Sequence, residues 1–480
     1  MYWKAARIAI VLGACAMLTS AVALEAGRGG LRPVPSGVAP GLGLFQPSGS
    51  VPTSTSPSAH PNGTSGPRLT SGSTPGPTAG VTTATPTPGG TAPPGPTGAA
   101  PLPHPITSVA DYGAVGNGHT DSTSAIAKAL AFASARGGTL YFPAGHYLVR
   151  GAGIGSAIEV HSGRALTIDG AGRDLVTITN TNPSGGLLSI QVDHTVVENL
   201  TLDAQTANTR QALGVVANDV IVESCRILGG RQFFAIYYAG PGGSSSAPTY
   251  NTGNQLIDDV VSDLVDNDGI SWSFQENSLI ENLQHTGSRL ALYVDRYVTV
   301  QNDIYHPGAQ AGGTAGFWIS APSDHITINN FTSYGMGGII SNNGNYISSN
   351  ITISNERLMV PGNTLRVDAV NGLTIRGCNF GAGDTLLFSG SLSTTSVVVE
   401  DCPALPMIRF QGNAIVRATF LADTYPAVAS PGASHLQTFY NFNTAHPSFG
   451  VNGGVWANRG GGFFDGAAAA YTVTNLTGYP

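Results

Sequence analysis

The stretch DYGAVGNGHTDSTSAIAKALAFASARGGTLYFPAGHYLV, Asp111 to Val149, passes from turn chemistry through one short helix into strands. Asp121 stands where a carboxylate can cap the first turn of a helix over residues 122–135. Ala125, Ile126, Ala129, Leu130 and Ala133 fall on one face of that helix, and Arg136-Gly137-Gly138 ends it. TLYFPAGHYLV then reads as the first strand pair. What one helix does ahead of so many strands is answered by the residues downstream.

After Leu148 a pattern recurs: ALTIDGAG, HTVVENLTL, NDVIVESCRI, NQLIDDVV, NSLIENLQH, RYVTVQNDI, DHITINNFT, SNITISNERL, NGLTIRGCNF and TSVVVEDCPAL. Each unit is a short alternating strand followed by Asn, Asp or Gly. Ile168, Val197, Val222, Ile257, Ile280, Val300, Ile328, Ile353, Ile375 and Val399 align as anchors, at a spacing of roughly 20 to 35 residues that defines a solenoid. Second strands such as DGISWSF, LALYVD and GFWIS lie between them. Several strands per repeat, no helices and polar turns at fixed places predict an all-β coil of parallel strands with a stacked Ile/Val/Leu core. Asn and Asp at the turns tolerate the left-handed backbone such corners need. A solenoid has open ends, so the helix at residues 122–135 is read as a cap on the first of them.

Cys225, Cys378 and Cys402 each stand three residues after an anchor, which places them in one column. Cys378 and Cys402 are on successive repeats, within the Cα separation of a disulfide; stacked buried thiols are the alternative.

The chain has 480 residues, 64 Gly, 31 Pro, 10% charged residues and a formal net charge of -7. Gly and Pro in these numbers disfavour a helical protein. The acidic balance argues against nucleic acid or an anionic membrane surface as partner. Residues 1–23 read as a secretory signal, with Lys4 and Arg7 ahead of an apolar run ending in Ala21-Val22-Ala23, which predicts a secreted, extracellular protein. Leu12-Gly13-Ala14-Cys15 also reads as a lipoprotein cleavage box, but the apolar run continues past Cys15 and favours the secretory reading. No later segment is long and apolar enough to span a bilayer. Residues 24–105 are Pro, Thr, Ser and Gly with almost no large apolar side chains, a composition that predicts a disordered linker. Residues 106–420 are assigned to the coil and residues 421–480, where the repeat is lost, to a C-terminal cap of irregular strands.

DYGAVGNGHTDSTSAI followed by GGTLYFPAGHYLV resembles the N-terminal signature of the pectate lyase superfamily, the rhamnogalacturonase and epimerase-like right-handed parallel β-helices. Asn117 and Ser122 depart from it at positions where acids are common. The resemblance implies a right-handed helix and an enzyme acting on a polysaccharide, pectin-like and containing uronic acids, in a groove along one face. Two reactions are then expected. Hydrolysis uses two carboxylates and no cofactor. Eliminative cleavage uses a base beside the C5 proton and a cation, often calcium, on the substrate carboxylate. An epimerase of the same fold and a non-catalytic glycan-binding or adhesin helix are the alternatives.

The richest segment for such chemistry is LIDDVVSDLVDNDGISWSF. Asn267-Asp268-Gly269-Ile270 resembles the NTDGI segment of polygalacturonase-type hydrolases, which implies a catalytic role for Asp268, with Asp266 as its acid partner. The paired-aspartate, Gly-His-Gly and Arg-Ile-Lys segments of those hydrolases do not follow it here. Counting from the anchors stacks Ile270 under Leu290, so Asp268 is expected beneath Ser288 and beside Arg289, a placement that keeps the carboxylate ionised. Arg289 is read as holding a substrate carboxylate in a forked pair, and His285, Asp295 and Arg296 as further substrate contacts. Alternation turns Trp272 inward and Trp318 outward, making Trp318 the sugar-stacking candidate. No metal-ligand spacing is present. Lys4 and Lys128 are the only lysines, so none is available as an elimination base on the coil.

Overall fold

The computed structural model describes residues 105–476, less short stretches of which those before residue 405 include 152–154, 205–210, 230–233, 263–267 and 309–314, and less a larger share of 406–476. The stretches read as a secretory signal and a disordered linker lie, up to residue 104, outside the described residues, Cys15 with them. Within them the strands stack into three long parallel sheets of sixteen, ten and thirteen strands. Successive strands of a sheet come from successive turns of the chain, the topology of a right-handed parallel β-helix.

The helix forms over Thr123–Arg136. Ser122 is its N-cap without a side-chain capping bond; Asp121 does that work from one position earlier, its Oδ1 accepting from the Thr123 N–H at 2.9 Å. Ile126, Ala129, Leu130 and Ala133 are buried and join the core with Val109 and Leu140, so the helix closes the first open end.

The inner column of the first sheet runs in register from Leu140 through Ile168, Val197 and Val222 to Leu256 and Ile280, then through Val300, Ile328, Ile353 and Ile375 to Val399. Nine of the ten expected anchors are in it. The tenth is corrected: Leu256 fills the column, whereas Ile257 pairs with Glu223 and Glu281 on the outer side. The turn decides this, because Asp258 takes the left-handed φ of 57° and the inward residue stands two positions before it. Asn199, Asn282, Asn302, Asn330 and Asn355 take the same conformation at the same corner. Their amides bond from rung to rung, as in Asn302 to Asn282 at 2.9 Å and Asn330 to Asn302 at 2.8 Å.

The column continues past residue 420. Val399 pairs with Phe420, Phe420 with Val451 and Val451 with Val473, so parallel rungs reach Thr474 where irregular strands were expected. Phe420 interrupts the Ile and Val run of anchors there, although Val451 and Val473 resume it at the spacing of the earlier rungs.

Cys225, Cys378 and Cys402 occupy one corner column but are free thiols, which corrects the disulfide expectation. Each donates to the carbonyl two residues back, Glu223, Arg376 and Glu400, at 3.4, 3.5 and 3.6 Å. Among the described residues no helix is long and apolar enough to cross a membrane.

Candidate functional site on the outer face of the third sheet

Alternation along the strand Asp268–Ser273 sends Ile270 and Trp272 into the core and leaves Ser271 and Ser273 facing outward. One rung on, in Arg289–Tyr293, Leu290 and Leu292 point inward and Ala291 and Tyr293 outward. The outward column runs Ser271, Ala291, Trp318, Ile339, Arg366. Small side chains make a floor at one end of it, and larger polar groups lean over that floor.

Asp268 is at the strand entrance. A register shift between Asp268 and Ile270 sets Asp268 opposite Arg289 while Ile270 faces Leu290, so the expected stacking of Ile270 holds and the partner of Asp268 is Arg289 instead of Ser288. Gly269 lies between them and lets the strand bulge. The Arg289 Nε donates to Asp268 Oδ1 at 2.6 Å. Tyr293, arriving from the other edge of the face, donates its hydroxyl to Asp268 Oδ2. The carboxylate is therefore held across the floor, with its side chain 4% exposed against 12% for Arg289. Burial, and next the charge of Asp268, push the Tyr293 phenol above its ordinary range, so it stays protonated at neutral pH.

Trp318 faces outward as expected, half-buried between buried Phe317 and Ile319. The Arg289 guanidinium lies 3.6 Å over its ring centroid, a cation–π contact, and its indole Nε1 donates to the Ser341 hydroxyl. Its ring is thus covered by Arg289 on one side and is 6.1 Å from the Tyr293 ring. Trp272 is fully buried.

Asp268, Arg289 and Trp318 are brought together, and three other expected contacts are corrected. Asp295 is fully buried in a corner ladder, its Oδ1 accepting from the Gln275 N–H at 2.7 Å, and burial pushes its carboxyl well above the usual range. His285 is inside the second sheet, 1% exposed, with Nδ1 3.0 Å from Asp303 Oδ1. Arg296 is on the first sheet, bonded to Glu276 at 2.9 Å and lying over the Tyr250 ring. Asp295 thus serves the backbone of a corner, His285 sits within a strand of the second sheet against Asp303, and Arg296 pairs with Glu276 across two rungs of the first. Asp266 lies outside the described residues.

Sequence reasoning missed Tyr293, although the alternation of LALYVD already put it in phase with Arg289. Arg366 is one of the arginines the sequence offers as an elimination base, but its grouping with Asp368 and Ser389 further along the face was not foreseen. There Arg366 Nε donates to Asp368 Oδ1 at 2.6 Å and Ser389 Oγ to the same oxygen at 2.5 Å.

Asp268 and Asp368 each have an arginine on one oxygen, and among the described residues no three His, Cys, Asp or Glu side chains converge as metal ligands.

A three-sheeted right-handed β-helix with a helical N-terminal cap and a polar outer face on one sheet is a recognisable class. The profile of the family described as rhamnogalacturonase A/epimerase, pectate lyase-like, matches residues 106–383, and the chain belongs to that family. No curated protein matches it in sequence. Among solved structures, the chain is similar to the A-module of the Azotobacter vinelandii mannuronan C-5 epimerase AlgE4, with 16% identity over 78% of this chain and 98% of that one and a TM-score of 0.49. The catalytic unit of the thermostable GH87 alpha-1,3-glucanase from Streptomyces thermodiastaticus strain HF3-3 is 13% identical over 80% of this chain and 70% of that one, with a TM-score of 0.39. The N-terminal fragment of the bacteriophage Phi29 gene product 12 is 14% identical over 78% and 71%, with a TM-score of 0.48. At these identities and scores no activity passes from them to this chain.

Proposed function

We propose that this protein is exported and acts on a uronic-acid-containing polysaccharide laid along the outer face of its third sheet, by proton transfer at C5. Its leader supports export, and the observation that carries the chemistry is the Tyr293–Asp268–Arg289 relay beside Trp318. Arg289 takes the substrate carboxylate, withdrawing charge and acidifying the C5 proton. Asp268, released from Arg289 and Tyr293 as the substrate docks, accepts that proton. Tyr293, kept protonated by burial, returns a proton, to the leaving glycosidic oxygen in elimination or to C5 in epimerisation. The guanidinium supplies the charge neutralisation that calcium supplies elsewhere. Two-carboxylate hydrolysis would need Asp266 as the second group.

A second reading, glycan binding without catalysis, is favoured by the closure of Asp268, whose two oxygens are both engaged and whose side chain is 4% exposed. Incubation with polygalacturonate and polymannuronate separates the two. Unsaturated product or inverted C5 configuration, lost by on the order of a hundredfold or more in Asp268→Asn and in Tyr293→Phe, supports proton transfer. Reducing ends without unsaturation would instead mean hydrolysis. Binding without any product would establish the second reading.

A further inference from the structure

Arg366 shares the outward column of Trp318, two rungs along it through Ile339. Arg409 is two rungs further, through Leu387. The Arg289 guanidinium is itself seated on Trp318, so guanidinium groups recur on this face at every second rung, a separation of about 10 Å. That is a notable concentration in an acidic chain with only 21 lysines and arginines.

Arg366 is built in as Arg289 is. Its Nε donates to Asp368 Oδ1 at 2.6 Å and to Ser389 Oγ at 3.2 Å, and Ser389 Oγ donates to the same carboxylate oxygen. Asp368 and Ser389 are buried, while the Arg366 side chain is 46% exposed. Nε being tied inward by a buried carboxylate, the edge with the two terminal nitrogens is left to meet a ligand. That edge matches a planar carboxylate in a forked pair.

We propose that Arg366, oriented by Asp368 and Ser389, is a second anion subsite that takes the carboxylate of a uronic residue a few sugar units along the chain from the one at Arg289. The inference rests on the reading of the third-sheet face as a uronate-polymer site. Arg366 is the binding residue, and Asp368 and Ser389 are positioning residues. The subsite makes affinity depend on chain length: a disaccharide fills the Arg289 end alone, and a longer acidic oligomer reaches both.

Calorimetric titration of wild type, Arg366→Gln and Arg366→Lys with galacturonate and mannuronate oligomers of two and of six to eight units tests this. In Arg366→Gln the longer acidic oligomer should bind about tenfold more weakly, with disaccharide affinity unchanged and the melting temperature lowered only modestly, because Asp368 keeps Ser389 as a partner. Arg366→Lys should recover only part of the loss, and the methyl-esterified long oligomer should not distinguish wild type from Arg366→Gln. Unchanged affinity for the long oligomer, or equal weakening for both lengths, would overturn the subsite while leaving the Arg289 site standing. If wild type binds none of the acidic oligomers, the polysaccharide reading itself fails and the subsite with it.

Discussion

The first and third sheets are made from the same coil, yet their outer faces differ in kind. On the first sheet the outward column reads Thr299, Thr327, Thr352, Thr374. On the third it reads Ser271, Ala291, Trp318, Ile339, Arg366. Over these four rungs the threonine row, flanked by Leu279 and Val398, suits a pleated, half-buried surface and asks little of its neighbours. The mixed row places small residues where a carboxylate folds over them, and its ion pairs, Asp268–Arg289 and Arg366–Asp368, have buried carboxylates. In a solenoid, where the backbone repeats, chemistry is found where the outward residues stop repeating.

The largest expected effects concern the shared interior that holds both faces in register. Leu256→Ala should destabilise the protein by about 2–5 kcal/mol, whereas Ile257→Ala, one residue on but facing out, should cost less than about 1 kcal/mol. Denaturant titration of the two variants reads this directly, and equal costs would break the register on which both outward columns depend.

Next comes the third face. Asp268→Asn removes the charge from a buried pair and leaves Arg289 without its anion, so stability should fall by about 1–3 kcal/mol. Its counterpart on the first face, Thr327→Ala, should change stability by no more than about 0.5 kcal/mol and leave activity untouched. If the two variants behave alike, the contrast between the faces has no functional content.

A smaller effect is expected at the corner that follows the first sheet. Burial, and then the neighbouring Asp384, push Glu356 up to about 8, and burial pushes Asp423 up to about 7. Both groups are protonated in the folded chain at a pH where they ionise in the unfolded one. Stability is therefore fully present below their ordinary values of 4.5 and 3.8 and falls as pH rises through the folded values. Thermal melts from pH 5 to pH 8 should show a decline that Glu356→Gln makes shallower. A wild-type stability that rises across this window would contradict that placement.

The sequence made the fold legible because a solenoid repeats each of its signals. One misplaced anchor, Ile257, did not disturb the other nine. The C-terminal rungs escaped because Phe420 interrupts the Ile and Val pattern, although Val451 and Val473 resume it. The site was legible in part. Asp268, Arg289 and Trp318 could be placed by counting along alternating strands, since all three project from the same sheet. His285 and Asp295 could not be excluded by the same counting, because whether a polar side chain on a strand or at a corner is turned inward depends on how three sheets close around one another. Tyr293 and Arg366 were in phase with the site but lay one and several rungs from the motif that drew attention.

The central claim is that an acidic glycan lies on the third face and is held by Arg289. A crystal structure of the Asp268→Asn protein with a bound galacturonate or mannuronate hexamer tests it most directly. A sugar carboxylate should lie within hydrogen-bonding distance of the Arg289 guanidinium, with its C5 facing residue 268 and Tyr293. An oligomer bound along the threonine row of the first sheet, or bound on the third face with no carboxylate at Arg289, would contradict it.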